Sequence, residues 1–246
     1  MTIPDQPPER AGAFTAPEHR VLAEPLIGGR TTPGVVKVGE TVRRPATPNS
    51  VFVRSLLIHL ERSGFTGAPR YLGTDEDDRD VFSYLPGDVP AELGEHEDHV
   101  LQAAARLIRG LHDTTAALVR SEAATCSGIE VVCHNDLSPC NTVFRAGIPV
   151  ALIDFDTACP GTRAFDLGYA AWLWLDWGNP DWSAADQTRR LHLFLAAYGP
   201  GPTAPEIIKS AIRRQAIVTA TGVRTGNAEM AKWAADCRQW TLSHLR

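Results

Sequence analysis

An aspartate and an asparagine, Asp136 and Asn141, stand five residues apart in the polar run His134-Asn135-Asp136-Leu137-Ser138-Pro139-Cys140-Asn141. Thirteen residues after Asn141, a second aspartate ends an apolar run in Ile153-Asp154-Phe155-Asp156. Phosphoryl transfer needs such a set. One carboxylate orients an acceptor hydroxyl, while an amide and another carboxylate hold a divalent cation on the phosphates. A polar surface loop beside a buried strand leaves three carboxylates and an amide at this spacing unexplained.

For these groups to meet, short strands must carry them. Residues 131–133 and 150–155 are strand-like, with an Ala146-Gly147 turn between them. Upstream, Gly28, Gly29, Gly34 and Gly39 punctuate β-branched runs at 35–38 and 41–44, and Gly39-Glu40 reads as a tight turn between antiparallel strands. Phe52, Leu56, Leu57 and Leu60 follow helical spacing from Ser50 to Ser63-Gly64. Residues 71–73 and 81–84 flank an acidic turn at 75–78, predicting another hairpin. Past Pro86-Gly87 the pattern changes, and Val100, Ala103, Leu107, Leu111 and Leu118 mark a long amphipathic helix. Helices are expected at 167–175, 183–198, 204–223 and 227–245, with Ser183 and Asp186 as a capping box and Gly199 as a terminator. The chain thus divides into a proline-containing arm (1–20), a β-rich lobe with one helix (21–86) and a mainly helical lobe (87–246), an α+β organisation.

The loop and the acidic segment together resemble the protein-kinase catalytic loop and metal-binding aspartate. They resemble more closely the aminoglycoside phosphotransferase family, whose loop reads His-x-Asp-x-x-x-x-Asn followed by Ile-Asp-aromatic-acidic; all of those positions are matched here. The resemblance implies a two-lobed protein-kinase-like fold and a small-molecule kinase that moves the γ-phosphate of ATP or GTP to a hydroxyl acceptor with Mg²⁺. It implies that Asp136 is the catalytic base, that His134 braces the loop, that Asn141 and Asp154 are metal ligands, and that Asp156 is auxiliary. Asp166, in Asp166-Leu167-Gly168, would cap the next helix and tie it to the catalytic loop. On the nucleotide side the resemblance implies a covering hairpin at Leu26-Ile27-Gly28-Gly29-Arg30, where Gly28 and Gly29 let backbone N–H groups approach phosphate. It also implies a hinge at Ser83-Tyr84-Leu85-Pro86-Gly87, with Ser83, Tyr84 and Leu85 meeting the adenine edge.

Two departures concern the phosphate-anchoring cation. Where kinases place a lysine on the third strand, this chain has Arg43 and Arg44, with Arg43 the better aligned. Arginine preserves the charge and binds phosphate bidentately. Strand alternation sends the two to opposite faces and leaves open which one meets the cleft. Lys37 on the preceding strand is a substitute candidate for this cation, although an exposed strand lysine is more often merely solvated. The helix glutamate that pairs with this cation should lie near Val53, where no acid stands, and Glu61 is expected to face solvent. These departures support a second expectation, a kinase-like protein that binds nucleotide or a toxin without transferring phosphate; the complete Asp136, Asn141 and Asp154 set opposes it.

Trp177 and Trp182, flanking residues 178–181, are candidates for an acceptor wall, and Trp172 and Trp174 for the core. His96 and His99 are expected in a solvated acidic helix start, Cys133 and Cys140 as packing residues, and Arg213, Arg214 and Arg224 on a solvated face. Composition narrows the partners. With 43% hydrophobic and 22% charged residues in 246, the chain is a globular one. A net charge of -5 lacks the basic excess of nucleic-acid binders and gives a slight preference for a cationic small-molecule acceptor. The longest apolar stretch, 167–177, is interrupted by Asp176 and falls short of the roughly 18 residues of a membrane span. No signal peptide is read at the N-terminus. The five cysteines have no paired spacing, which argues against a disulfide framework or zinc site and favours a reducing cytoplasm.

Overall fold

The computed structural model describes residues 23–25, 34–122 and 128–245. The expected glycine hairpin, including Gly28 and Gly29, lies outside them. The first part of the chain is a five-stranded antiparallel sheet of order β1-β2-β3-β5-β4, formed by β1 (Ala23–Pro25), β2 (Val36–Val38), β3 (Thr41–Arg44), β4 (Tyr71–Thr74) and β5 (Asp80–Ser83). Gly39, at φ 59°, makes the turn between β2 and β3. One helix, α1 (Ser50–Arg62), packs here because Val53, Leu56, Leu57 and Leu60 recur on one face and are buried. Burying such a leucine row contributes about 1.5–3 kcal/mol per side chain, which outweighs the missing side-chain cap at Asn49.

The second part opens with α2 (Asp98–Glu122) and continues through β6 (Val131–Cys133), the hairpin β7 (Thr142–Arg145) with β8 (Ile148–Leu152), and β9 (Cys159–Gly161), which pairs with β6. Four helices follow: α3 (Arg163–Trp174), α4 (Ala184–Tyr198), α5 (Ala204–Thr225) and α6 (Ala228–His244). Their ends are written in the sequence. Ser183 Oγ accepts from the Asp186 amide at 3.1 Å, Glu206 Oε2 accepts from the Thr203 amide at 2.7 Å, and Gly199 and Gly226 close α4 and α5 at positive φ. Helices α3, α5 and α6 approach closely because a Cβ on Gly168 would lie 2.7 Å from the Ala211 amide nitrogen, and one on Gly222 would lie 2.7 Å from that of Ala231. Among the described residues the main hydrophobic core runs from the α1 leucines through α2 to Trp172, Trp174 and Trp177, and a small second cluster groups Ala116, Val131 and Cys133.

Several expectations shift. Helix α3 begins at Arg163, capped by the Thr162 hydroxyl, which accepts from the Phe165 amide at 3.2 Å. Asp166 is therefore not a helix cap; it sits inside the first turn and turns away toward the loop. The strand expected at 150–155 ends at Leu152, because Asp154 turns to φ 64° and starts a short 3₁₀ turn. Among the described residues, no helix is long and apolar enough to cross a membrane.

Candidate active site

The loop after β6 is shaped by its own side chains. The His134 ring donates from Nε2 to the Ile153 carbonyl at 3.0 Å and accepts at Nδ1 from the Asp136 amide at 3.3 Å, so one imidazole spans the loop and the acidic segment. Asn135 takes φ 66°, a left-handed conformation asparagine tolerates. Its side-chain amide donates to the Thr157 carbonyl at 3.0 Å. Pro139–Asn141 form a 3₁₀ turn that brings Asn141 back over Asp136, and Asn141 Nδ2 donates to Asp136 Oδ2 at 2.7 Å. The Ile153 amide donates to the Asn141 carbonyl at 2.9 Å, which places Asp154 beside the loop.

Beneath the loop lies Asp166, fully buried. Its two oxygens accept from the amides of His134 and Asn135, each at 2.8 Å, and one also accepts from His112 Nε2 at 3.0 Å. Burial acts to raise this carboxyl, but His112 and the loop amide outweigh it and hold it below the usual carboxylate range. The network continues outward, since His112 Nδ1 meets the Tyr198 hydroxyl at 2.8 Å, and Arg163 donates to that hydroxyl at 2.8 Å.

Between the sheet and the loop is a cavity of about 370 Å³, within the range of small-molecule sites. Ser83, Tyr84 and Leu85 line it on one side and Asn141 and Asp154 on the other, with Val42, Val53, Leu57, Phe82 and Phe155 supplying apolar walls. Gly87 is required where the chain leaves this hinge: at φ 148° its missing Cβ would stand 2.4 Å from the Phe144 carbonyl oxygen. Cys140 also lines the cavity.

The cation facing this cavity is Arg44, which corrects the expectation for Arg43. Arg44 shares its face of β3 with cavity-lining Val42, and its guanidinium donates to Asp154 Oδ1 at 3.2 and 3.3 Å and also to Asp156. Arg43 points to the opposite face, 3.4 Å from Asp75 Oδ2. Lys37 pairs with Val42 across the strands and lies 4.1 Å from the centre of the Tyr84 ring, so it is held over an aromatic face instead of being simply solvated. Val53 and Leu57 are the α1 residues that meet the cavity, and Glu61 lies at the far end of the helix, 3.8 Å from Arg70.

Other side chains moved from their expected places. Arg214 is drawn to the loop: it donates to the Asn135 carbonyl and stacks at 4.3 Å on the Tyr169 ring. Burial, followed by the nearby Asp136 carboxylate, pushes the Tyr169 hydroxyl upward, so this phenol belongs to the surroundings of Asp136. Trp177 is 1% exposed and is core; Trp182 lies under Arg190 at 4.1 Å. His96 stacks on Phe144 at 5.9 Å, and burial lowers its pKa. The signal missed for Arg214 and Tyr169 was their periodicity with Phe165 on facing helices, which a single sequence does not align.

The donor set suits a hard cation. Asn141 Nδ2 is committed to Asp136, while Asn141 Oδ1 and Asp154 Oδ2 accept no hydrogen bond among the described residues. No group of three or more His, Cys, Asp or Glu that would hold a metal occurs among those residues. A cation here would take few protein oxygens and complete its shell from a ligand, as Mg²⁺ does in phosphate sites.

Comparison with known proteins bears on the fold that carries this site. Residues 122–208 match the sequence model of the phosphotransferase enzyme family. The chain is 37% identical over 157 residues to a trifolitoxin immunity protein of Rhizobium leguminosarum bv. trifolii, covering 59% of this chain and 59% of that protein. The match therefore spans less than two thirds of the relative's length. Among solved structures, the GDP complex of aminoglycoside 2'-phosphotransferase-IIIa superposes with a TM-score of 0.61 at 13% identity, covering 92% of this chain and 94% of that one. A microcompartment-associated aminopropanol kinase gives 0.60 at 14% identity over 86% and 88%. A choline/ethanolamine kinase family protein from Mesorhizobium loti gives 0.59 at 14% identity over 95% and 90%.

Proposed function

We propose that this chain, an aminoglycoside phosphotransferase-like protein of the protein-kinase-like fold, is a small-molecule kinase that uses ATP or GTP to phosphorylate a hydroxyl group. The observation that carries the reading is the placement of Asp136, Asn141 and Asp154: the first two are joined at 2.7 Å, and the last two face one hinge-lined cavity. The base purine would lie against Ser83, Tyr84 and Leu85, with Arg44 toward the phosphates. Asp136 would accept the acceptor's hydroxyl proton, held in orientation by the Asn141 amide. Asn141 and Asp154 would hold Mg²⁺, which when bound neutralises charge on the phosphoryl oxygens. His134 and Asp166 keep the loop in the shape that places Asp136. Catalysis on this scheme is chiefly positioning and charge neutralisation.

A second reading has its own support. The likeness to an immunity protein and the absence of an acid at Val53 favour a chain that protects by binding nucleotide or toxin without transfer. The test is nucleotide consumption by purified protein with Mg²⁺ and ATP or GTP, across a panel of aminoglycosides, other antibiotics, amino alcohols and sugars. Acceptor-dependent ADP or GDP release that disappears in Asp136→Asn supports the kinase. A nucleotide-induced rise in melting temperature with no turnover on any acceptor favours the second reading, and no rise at all means that the nucleotide site is lost, which removes the kinase and leaves of the second reading only toxin binding.

A further inference from the structure

Arg44 occupies an unusual electrostatic position. Its guanidinium joins Asp154 and Asp156, with side-chain exposures of 13%, 25% and 24%, so all three groups are partly withdrawn from water. The two carboxylates are carried by a segment that is itself pinned to the sheet lobe, because Asn49 Nδ2 donates to the carbonyls of Asp156 at 2.8 Å and Ala158 at 3.0 Å. The pairing is therefore between groups on two braced elements. Helix α1 offers no alternative partner: its cavity-facing positions are Val53 and Leu57, and the neighbouring Arg54 is paired with buried Asp80 at 2.6 Å.

Resting on the kinase reading for the identity of the nucleotide, we propose that Arg44 is an interlock that makes divalent-cation binding at Asp154 conditional on a nucleotide triphosphate. A divalent cation arriving alone must compete with a guanidinium already on Asp154 Oδ1, so its binding costs the arginine one of the two carboxylates that hold it in a partly buried place. Giving up a partly desolvated charge contact is unfavourable unless another anion replaces it. A polyphosphate removes the conflict, since it offers the guanidinium bidentate oxygens while the cation takes the carboxylate. Each ligand then favours the other, and by thermodynamic reciprocity the factor is the same in both directions. A lysine at this position, a compact point charge, would bridge the two carboxylates less well than the planar fork does. Arg44 thus acts on the metal through the ligand it pairs with, as a positioning residue.

The test measures binding, not turnover. Mn²⁺ alone is titrated by electron paramagnetic resonance into the full chain, into Arg44→Gln and into Arg44→Lys, and each titration is repeated with saturating imido analogues of ATP and of GTP. Circular dichroism establishes that each variant is folded. For the natural chain, the analogue should tighten Mn²⁺ by roughly tenfold or more, a typical coupling. Arg44→Gln should bind Mn²⁺ alone about tenfold more tightly than the natural chain and lose most of the coupling, with Arg44→Lys between the two. Equal Mn²⁺ affinity of the natural chain and Arg44→Gln in the absence of nucleotide overturns the interlock. If neither analogue binds any of the three proteins, the kinase reading falls, yet the comparison with Mn²⁺ alone still decides whether Arg44 guards the site.

Discussion

Replacing Asp166 with asparagine probes how firmly the loop from His134 to Asn141 is held. The carboxylate accepts from two backbone amides at 2.8 Å and from His112 at 3.0 Å, and it is fully buried. Asparagine keeps the shape but carries one acceptor oxygen, so one of these donors would face an NH₂ group. An unsatisfied buried donor costs about 1–3 kcal/mol, and hydrogen bonds that lose their charge assistance cost more. Together with the unpairing of His112, the expected loss is about 3–5 kcal/mol. At about 2–4 °C per kcal/mol for a chain of this size, the melting temperature should fall by roughly 6–20 °C. Thermal and urea unfolding followed by far-ultraviolet circular dichroism would read the loss, and Asp166→Asn, His112→Phe and the double variant would form a cycle. The carboxyl's depressed pKa gives a second check. A group whose folded pKa lies below its unfolded value of about 3.9 contributes stability above that value and loses it as pH falls through the folded pKa. The gap between natural chain and variant should thus narrow below about pH 4. A loss under about 1 kcal/mol would refute the claim that the aspartate holds the loop, and strict additivity in the cycle would refute its coupling to His112.

Arg43→Ala removes a partly exposed pair with Asp75 and should cost at most about 1 kcal/mol, leaving nucleotide affinity, read by isothermal calorimetry, within about twofold; a larger loss would return Arg43 to the cleft. Gly168→Ala would push a Cβ to within 2.7 Å of the Ala211 amide nitrogen, and forcing α3 from α5 should cost about 1–3 kcal/mol in urea unfolding. Burial lowers the His96 pKa, so the folded chain resists the proton that the unfolded chain takes up near pH 6.5. Stability should therefore fall as pH drops from about 6.5, and His96→Phe, which keeps a ring beside Phe144, should abolish that part of the melting-temperature decline. An unchanged decline would place its origin elsewhere.

What could be read beforehand was whatever neighbouring residues determine. Within the run from His134 to Asn141, contacts two to five residues long fold Asn141 back over Asp136, while the anchoring by Asp166 and Ile153 comes from afar, and the helix ends at Ser183 and Gly199 follow from local capping. Choices settled by strand pairing could not be read in this way. Arg43 and Arg44 differ only in which face of β3 they occupy, and that depends on register, Arg43 opposite Val36 and Val81. Strand β9 has the sequence Cys-Pro-Gly, which carries no strand preference and exists because β6 presents it with partners. The hairpin strand at Thr142–Arg145 was hidden for a similar reason: its register shifts between Val143 and Phe144, which blurs simple alternation. Arg214 reaches Asn135 across 79 residues of sequence, and His96 owes its stacking to Phe144 and Trp174.

The two halves of the site rest on different foundations. Asp136 is set by a loop whose anchors, Asp166, His112, Tyr198 and Arg163, all belong to the helical lobe. Asp154 and Asp156 are instead shared property of both lobes, joined to the sheet through Arg44 and Asn49. A rigid swing of the sheet about Gly87 would therefore leave the Asp136 loop assembled while it unmade and remade the contacts of Asp154 and Asp156. On the kinase reading proposed above, closure would then time the phosphate side of the site alone, with Asp136 already in place.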